Sequence, residues 1–208
     1  MFKKILIIGC GLIGSSILRG SITKKISKHF FVYEKSKKNI QKIKKIHNKI
    51  RILKKLDNKL IDFDFVVLST PMSEYEKIIP NLNKYLNKNC LITDVGSTKE
   101  NILKLKNKKL SKSLDWITSH PISGSEVSGP EHGTKNLFVN KWCVVVSDKN
   151  KIKQSKLLKF WKKLGSKVII MDAKIHDKIF SITSHLPHLI AYNLIKTAQD
   201  FQKKQKKD

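Results

Sequence analysis

Lys4-Ile5-Leu6-Ile7-Ile8-Gly9-Cys10-Gly11-Leu12-Ile13-Gly14 is the stretch that decides the fold. A short apolar run stopped by glycine reads as a buried parallel strand. The glycines form G-x-G-x-x-G, and Leu12, Ile13, Ile17 and Leu18 then recur at helical spacing to about Ser21. Strand, glycine loop and helix in that order make a dinucleotide-binding turn. Gly9 permits the tight turn, Gly11 lets the backbone approach a pyrophosphate, and Gly14 lets the helix pack closely on the strand. The amides that open the helix, at Leu12 and Ile13, then face the phosphates.

Working outward, Phe30–Tyr33 reads as a second strand, and Glu34 ends it 20 residues after Gly14. A carboxylate there accepts hydrogen bonds from the adenine ribose hydroxyls and repels a 2′-phosphate, which favours NAD over NADP. Lys35, Lys37 and Lys38 beside it would attract such a phosphate, and the plainer alternative is a surface glutamate. Further strands are expected at Arg51–Leu53, Phe63–Ser69, Cys90–Asp94, Trp116–Ser119, Trp142–Val146 and Lys167–Met171. Helices are expected at Lys38–Ile46, Glu74–Tyr85 with a break at Pro80, Lys99–Leu105, and between the last two strands around Leu157, Leu158, Trp161 and Leu164. This alternation predicts an α/β, Rossmann-like, doubly wound and mostly parallel sheet over residues 1–172. From Ala173 to Thr197 the pattern is continuously helical, so 173–208 reads as the beginning of an all-helical domain. The polar tail 202–208 is expected to fray.

Charge is the obvious distraction. The 208 residues carry 43 Lys and Arg against 16 Asp and Glu, a formal net charge of +27. That attracts polyanions. Yet Arg19 and Arg51 are the only arginines, and Arg is the residue suited to bidentate phosphate and guanine contacts. The lysines are scattered in short runs among Ile and Asn, a compositional drift rather than a nucleic-acid interface. Cys10, Cys90 and Cys143 form no C-x-x-C and read as reduced buried thiols of a cytoplasmic protein. The basic then apolar start resembles a signal peptide only until Gly9, Gly11 and Gly14 interrupt it. No apolar stretch is long enough to span a bilayer, and no metal-ligand spacing such as H-E-x-x-H occurs.

The densest unusual segment is His120-Pro121-Ile122-Ser123-Gly124-Ser125-Glu126-Val127-Ser128-Gly129. It follows a strand at its carboxyl end, where doubly wound sheets place their ligand crevice. Imidazole there can take a proton from a substrate hydroxyl while a nicotinamide takes a hydride. Asp94-Val95-Gly96-Ser97-Thr98-Lys99 ends the preceding strand, so its hydroxyls are in reach of that ring. Ser69, Thr70 and Pro71 after the fourth strand either wall the nicotinamide side or form a plain turn. His29, His47 and His132 read as surface residues, and His176 with Asp177 as a helix-start pair. Ser184-His185-Leu186-Pro187-His188 is a further cluster in the helical region.

These motifs, in this order and spacing, resemble the prephenate (or arogenate) dehydrogenase family of tyrosine biosynthesis over the chain to about residue 200. The resemblance implies NAD-dependent oxidative decarboxylation. It implies His120 as the acceptor of the ring hydroxyl's proton. Ser97 would orient His120 and touch substrate or nicotinamide, Ser125 and Glu126 would line the substrate entrance, and His188, with Ser184, would contact the substrate. Members of the family continue into an all-helical dimer-forming domain with an arginine for a substrate carboxylate. Here no arginine follows Arg51, which leaves a lysine such as Lys174, Lys178 or Lys196 for that anion, and the chain looks truncated. A dimer is therefore expected of the family rather than of so short a chain. The apolar face of 176–197 is expected to be partly uncovered. Two alternatives remain at this point: a non-catalytic dinucleotide-binding remnant, or another Rossmann hydroxy-acid dehydrogenase.

Overall fold

In the computed structural model, which describes residues 2–205, strands and helices alternate from the first turn onward. The order is β1 (Phe2–Ile8), α1 (Leu12–Thr23), β2 (Ser27–Tyr33), α2 (Lys37–Lys44), β3 (Ile50–Leu53), β4 (Phe65–Leu68) and α3 (Tyr75–Tyr85). Then come β5 (Leu91–Asp94), α4 (Glu100–Lys109), β6 (Asp115–Trp116), β7 (Ser119–Pro121), β8 (Trp142–Val146), α5 (Lys151–Lys163) and β9 (Lys167–Met171). Helices α6 (Ala173–Phe180) and α7 (Leu186–Gln205) close the described chain.

Strands β1 to β6 form one parallel sheet in the order β3-β2-β1-β4-β5-β6. The order reverses between β1 and β4, and that switch point is where such sheets open their ligand crevice. Alternation along the strands feeds two cores. Ile5, Ile7, Phe65 and Val67 point to the side packed with Ile17, Leu157, Phe160 and Trp161. Leu6, Ile8, Val66 and Leu68 point to the side packed with Tyr75, Ile79, Leu82 and Ile102. Burial on both faces is why these strands read as unbroken apolar runs.

The expected strand Trp116–Ser119 is in fact two. Trp116 pairs with Ile92 in the large sheet. Ser119–Pro121 instead pairs antiparallel with β8, which runs parallel to β9, giving a second, three-stranded sheet. The crossing point is pinned from below. Trp116 Nε1 donates to the Asp94 carboxylate at 3.1 Å, and the Ser119 hydroxyl donates to the Asp94 carbonyl at 2.7 Å. The expected break at Pro80 is absent, because α3 runs through it. Pro80 and Glu76 both lie on the exposed face, so the carbonyl left without its N–H partner is open to solvent.

The helical stretch after Ala173 is not uniform, since Ser181–His185 forms a π-helical turn between α6 and α7. Helix α7 continues through Gln205, so the expected fraying does not begin at 202; residues 206–208 lie outside the described residues. Among the described residues no helix is long and apolar enough to cross a membrane. The apolar side chains of α7 are open, with Leu189 at 60%, Tyr192 at 71% and Leu194 at 69% exposure.

Candidate active site

The glycine loop has the geometry its sequence requires. Gly9 adopts φ +83°, in the left-handed region that favours glycine. Its amide donates to the Tyr33 carbonyl at 2.9 Å, and its carbonyl accepts from the Ser69 hydroxyl. The loop therefore ties together the ends of β1, β2 and β4. A Cβ on Gly14 would collide with the Gly9 carbonyl and the Ser69 hydroxyl, so helix and strand meet with no room to spare. Gly11 is the opposite case. A Cβ there would meet nothing within 4 Å, which leaves the loop's outer side open to a phosphate group. Gly11 is the N-cap of α1, so the first amides of the helix lack carbonyl partners within it.

A cleft of about 340 Å³ lies over this loop, lined by Gly9, Gly11, Glu34, Ser69, Thr70 and Pro71, all expected in sequence. Leu12, Ile13 and Gly14 begin α1 beneath it. Tyr33, Asn39, Glu74 and Ile78 also line it and carried no sequence signal. The Glu34 carboxylate accepts from the amides of Cys10 and Ser36, each at 3.0 Å. Lys35 is drawn away to Glu74 at 2.6 Å. Hydrogen bonds from Lys35 and Lys77 hold the Glu74 carboxyl down at about 2. The donor set fits a dinucleotide: open amides for the diphosphate and an oriented carboxylate for a ribose diol.

The second part of the site stands on β7. His120 is partly buried, and its Nδ1 lies 2.9 Å from Nε2 of His176, which is fully buried on α6. Nδ1 of His176 lies 2.7 Å from Oδ1 of Asp177. Phe180 stacks edge-on against His120, with ring centroids 5.1 Å apart. The His120 pKa falls from 6.5 to about 3, first because of burial and then because of the Lys99 charge and the neighbouring His176 and His185 rings. At neutral pH it is an uncharged imidazole. His176 is pushed down as well, chiefly by burial, against the pull of Asp177.

Two sequence readings change here. Ser97 is exposed and, among the described residues, makes no hydrogen bond to His120; His176 takes the position expected of it. His176 is correspondingly no surface or capping residue. The cap of α6 is Asp172, whose carboxylate accepts from the Lys174 amide at 2.8 Å and the Ile175 amide at 3.2 Å, while the Asp177 carboxylate accepts from the Lys99 amide at 2.8 Å and the Glu100 amide at 2.9 Å, at the start of α4. Ser125 and Glu126 lie exposed on the loop after β7, Ser184 is partly buried in the π-helical turn, and His188 is exposed on α7. Lys174, Lys178 and Lys196 are all exposed.

Beneath His120 lies a buried polar junction. Lys99, at 0% exposure, donates from Nζ to the Asp94 carboxylate and to the Ser119 carbonyl, each at 2.7 Å. The Ser119 hydroxyl also accepts from Trp161 Nε1 at 3.1 Å. Cys10, Cys90 and Cys143 are buried free thiols, and burial pushes all three well above the ordinary range. Among the described residues no group of three or more His, Cys, Asp or Glu side chains could hold a metal ion.

Sheet order, glycine loop and oriented carboxylate define a dinucleotide-binding α/β domain, with a histidine placed at the carboxyl ends of its strands. Comparison with known proteins narrows the class. The family model described as "Prephenate dehydrogenase, nucleotide-binding domain" matches residues 20–170, and the one described as "Prephenate dehydrogenase, dimerization domain" matches 172–208. The chain belongs to the prephenate dehydrogenase family. A prephenate dehydrogenase of Lactococcus lactis is 34% identical over 207 residues, covering 97% of this chain and 55% of that protein. A cyclohexadienyl dehydrogenase of Zymomonas mobilis is 29% identical, covering 98% of this chain and 70% of its own length. The crystal structure of Aquifex aeolicus prephenate dehydrogenase with hydroxyphenyl propionate and NAD+ superposes with a TM-score of 0.85 at 29% identity. That superposition covers 95% of this chain and 69% of the other. The chain thus spans between about half and two thirds of the length of these relatives.

Proposed function

We propose that this chain catalyses the oxidative decarboxylation of prephenate to 4-hydroxyphenylpyruvate, or of arogenate to tyrosine, with NAD as the oxidant. The observation that carries this reading is His120: a partly buried, uncharged imidazole on β7, the strand paired with β8, braced on one ring nitrogen by His176. The other ring nitrogen, Nε2, takes the proton of the substrate's ring hydroxyl. The bound dinucleotide supplies the hydride acceptor. Loss of the ring carboxylate as CO₂ makes the ring aromatic, so the protein has mainly to position the substrate and move one proton.

Gly11 with the amides of Leu12 and Ile13 would hold the diphosphate, Glu34 the adenosine ribose, and Ser69, Thr70 and Pro71 the nicotinamide side. Glu34 disfavours a 2′-phosphate, and the pairing of Lys35 with Glu74 removes the nearest cation that would welcome one. Ser97, Ser125, Glu126, Ser184 and His188 are assigned to the substrate side through the family resemblance. Residues 173–208 open the helical substrate and dimerisation domain after a Rossmann-like domain of 1–172, and the working form is a cytoplasmic homodimer. The net charge of +27 speeds capture of an anionic substrate rather than binding nucleic acid.

The test is NADH formation, followed by absorbance, with prephenate and arogenate offered separately and NAD+ compared with NADP+. Turnover with NAD+ that falls at least about 10²-fold in His120→Asn is the expected result. A folded protein that binds NAD+ and turns over neither substrate would instead favour a non-catalytic dinucleotide-binding chain.

A further inference from the structure

We propose that Asp177 and His176 form a relay that fixes His120 as its Nδ1–H tautomer, leaving Nε2 as a bare lone pair facing the substrate. Of the two, His176 touches His120 and Asp177 acts through it, so both are positioning residues. The assignment rests on the reading of His120 as the proton acceptor.

The argument is one of donors and acceptors. Asp177 accepts from two backbone amides at the start of α4, which keeps its carboxyl ionised even though burial opposes it. An ionised carboxylate only accepts, so Nδ1 of His176, 2.7 Å from Oδ1, must carry a proton. His176 is buried and neutral, so its single ring proton is then used and Nε2 is an acceptor. The atom 2.9 Å from that acceptor is Nδ1 of His120, which must therefore donate. A neutral His120 with its proton on Nδ1 has none on Nε2.

The alternative arrangement fails at a named atom. With the proton of His120 on Nε2, its Nδ1 would face the Nε2 of His176 lone pair to lone pair in a dry contact. Phe180 packs against both imidazoles, at 5.1 Å from His120 and 4.5 Å from His176, and restrains the rings from turning out of line. Once Nε2 takes the substrate's proton, His120 is an imidazolium. Its Nδ1–H still donates to His176, and the Asp177 charge lies one ring further away. No proton needs to leave Asp177 or His176 for the step to run.

Tautomers are read by long-range ¹H–¹⁵N correlation on protein labelled with ¹⁵N-histidine, the His120 signals being identified by their loss in His120→Gln. The wild-type spectrum is expected to show His120 protonated on Nδ1. Asp177→Asn presents an amide that can donate to His176, reversing the chain, and is expected to move the His120 proton to Nε2. The analogous loss of an orienting carboxylate in serine proteases lowers kcat by about 10⁴, so kcat here should fall between about 10²- and 10⁴-fold with KM little changed. His176→Gln keeps an oxygen that can accept from His120 Nδ1–H and should retain activity within about 10-fold of wild type. His176→Leu should lose both activity and the Nδ1–H form, and this pair decides the matter if Asp177→Asn does not fold. An Nε2–H ring in the wild type, or an Nδ1–H ring that persists in the folded Asp177→Asn and His176→Leu proteins, would overturn the relay. The predicted tautomer in a protein inert toward prephenate and arogenate upholds the relay and removes the proposed activity.

Discussion

His120 is uncharged because burial and the neighbouring Lys99 charge lower its pKa from 6.5 to about 3, and that carries a cost in acid. Between those limits the unfolded chain binds a proton at this ring and the folded chain does not. Stability is therefore complete above pH 6.5 and declines as the pH falls toward 3, by up to about 1.4 kcal/mol per pH unit for one proton. His176 is shifted in the same direction and adds to the slope. Urea unfolding from pH 7 down to pH 4 should show a shallower decline in His120→Asn than in wild type; identical slopes would mean that the ring is not held neutral. Residues differ in how far sequence alone exposes them. Gly9, Gly11, Gly14 and Glu34 were legible because their constraint is local: one turn, one helix start, one strand end. His176 was not, because its partner lies 56 residues away and a lone imidazole in a helix has no periodic signature. The same gap explains why Ser97, adjacent in motif, was expected at the position His176 holds.

Between elements, the most exacting joint is that of β5, α4 and β7. The Lys99 ammonium, out of all contact with solvent, is compensated among the described residues by the Asp94 carboxylate and the Ser119 carbonyl. Breaking a buried pair by removing one partner strands the other charge, at about 3–5 kcal/mol. Lys99→Met should lose about that much in urea denaturation, and adding Asp94→Asn should recover part of it, since the amide needs no counter-charge. A loss below about 1 kcal/mol would show that the joint is wetter than its burial implies. Sequence patterning placed nearly every strand and helix of this region to within a few residues, because parallel strands buried on both faces are unbroken apolar runs. It could not divide Trp116–Ser119 between two sheets. All four side chains are buried, so no alternation marks where the chain leaves one ladder for the next.

At the scale of the molecule, the six-stranded sheet buries its apolar strands well, while β9, with Ile169 at 40% and Ile170 at 47% exposure, and the end of the described chain do not. Ile182, Leu186, Leu189, Ile190, Tyr192, Leu194 and Ile195 are each 48% exposed or more. A contiguous surface of that kind seeks a cover, and the proposed dimer supplies one. Sedimentation of the chain at micromolar concentration should show association that weakens in Leu194→Lys, whereas a monomer at all concentrations would count against the dimer. The junction of α6 with the rest has another consequence. The two oxygens of Asp177 hold the first amides of α4, and one of them also holds His176. The helix on the substrate side is thus latched to the loop that leads out of the cofactor sheet, and the latch and the catalytic ring share a single carboxylate. This is an interlock: under the proposed mechanism, proton abstraction is armed only while α6 is seated. A chain ending before residue 172 would keep its grip on the dinucleotide and lose its aim.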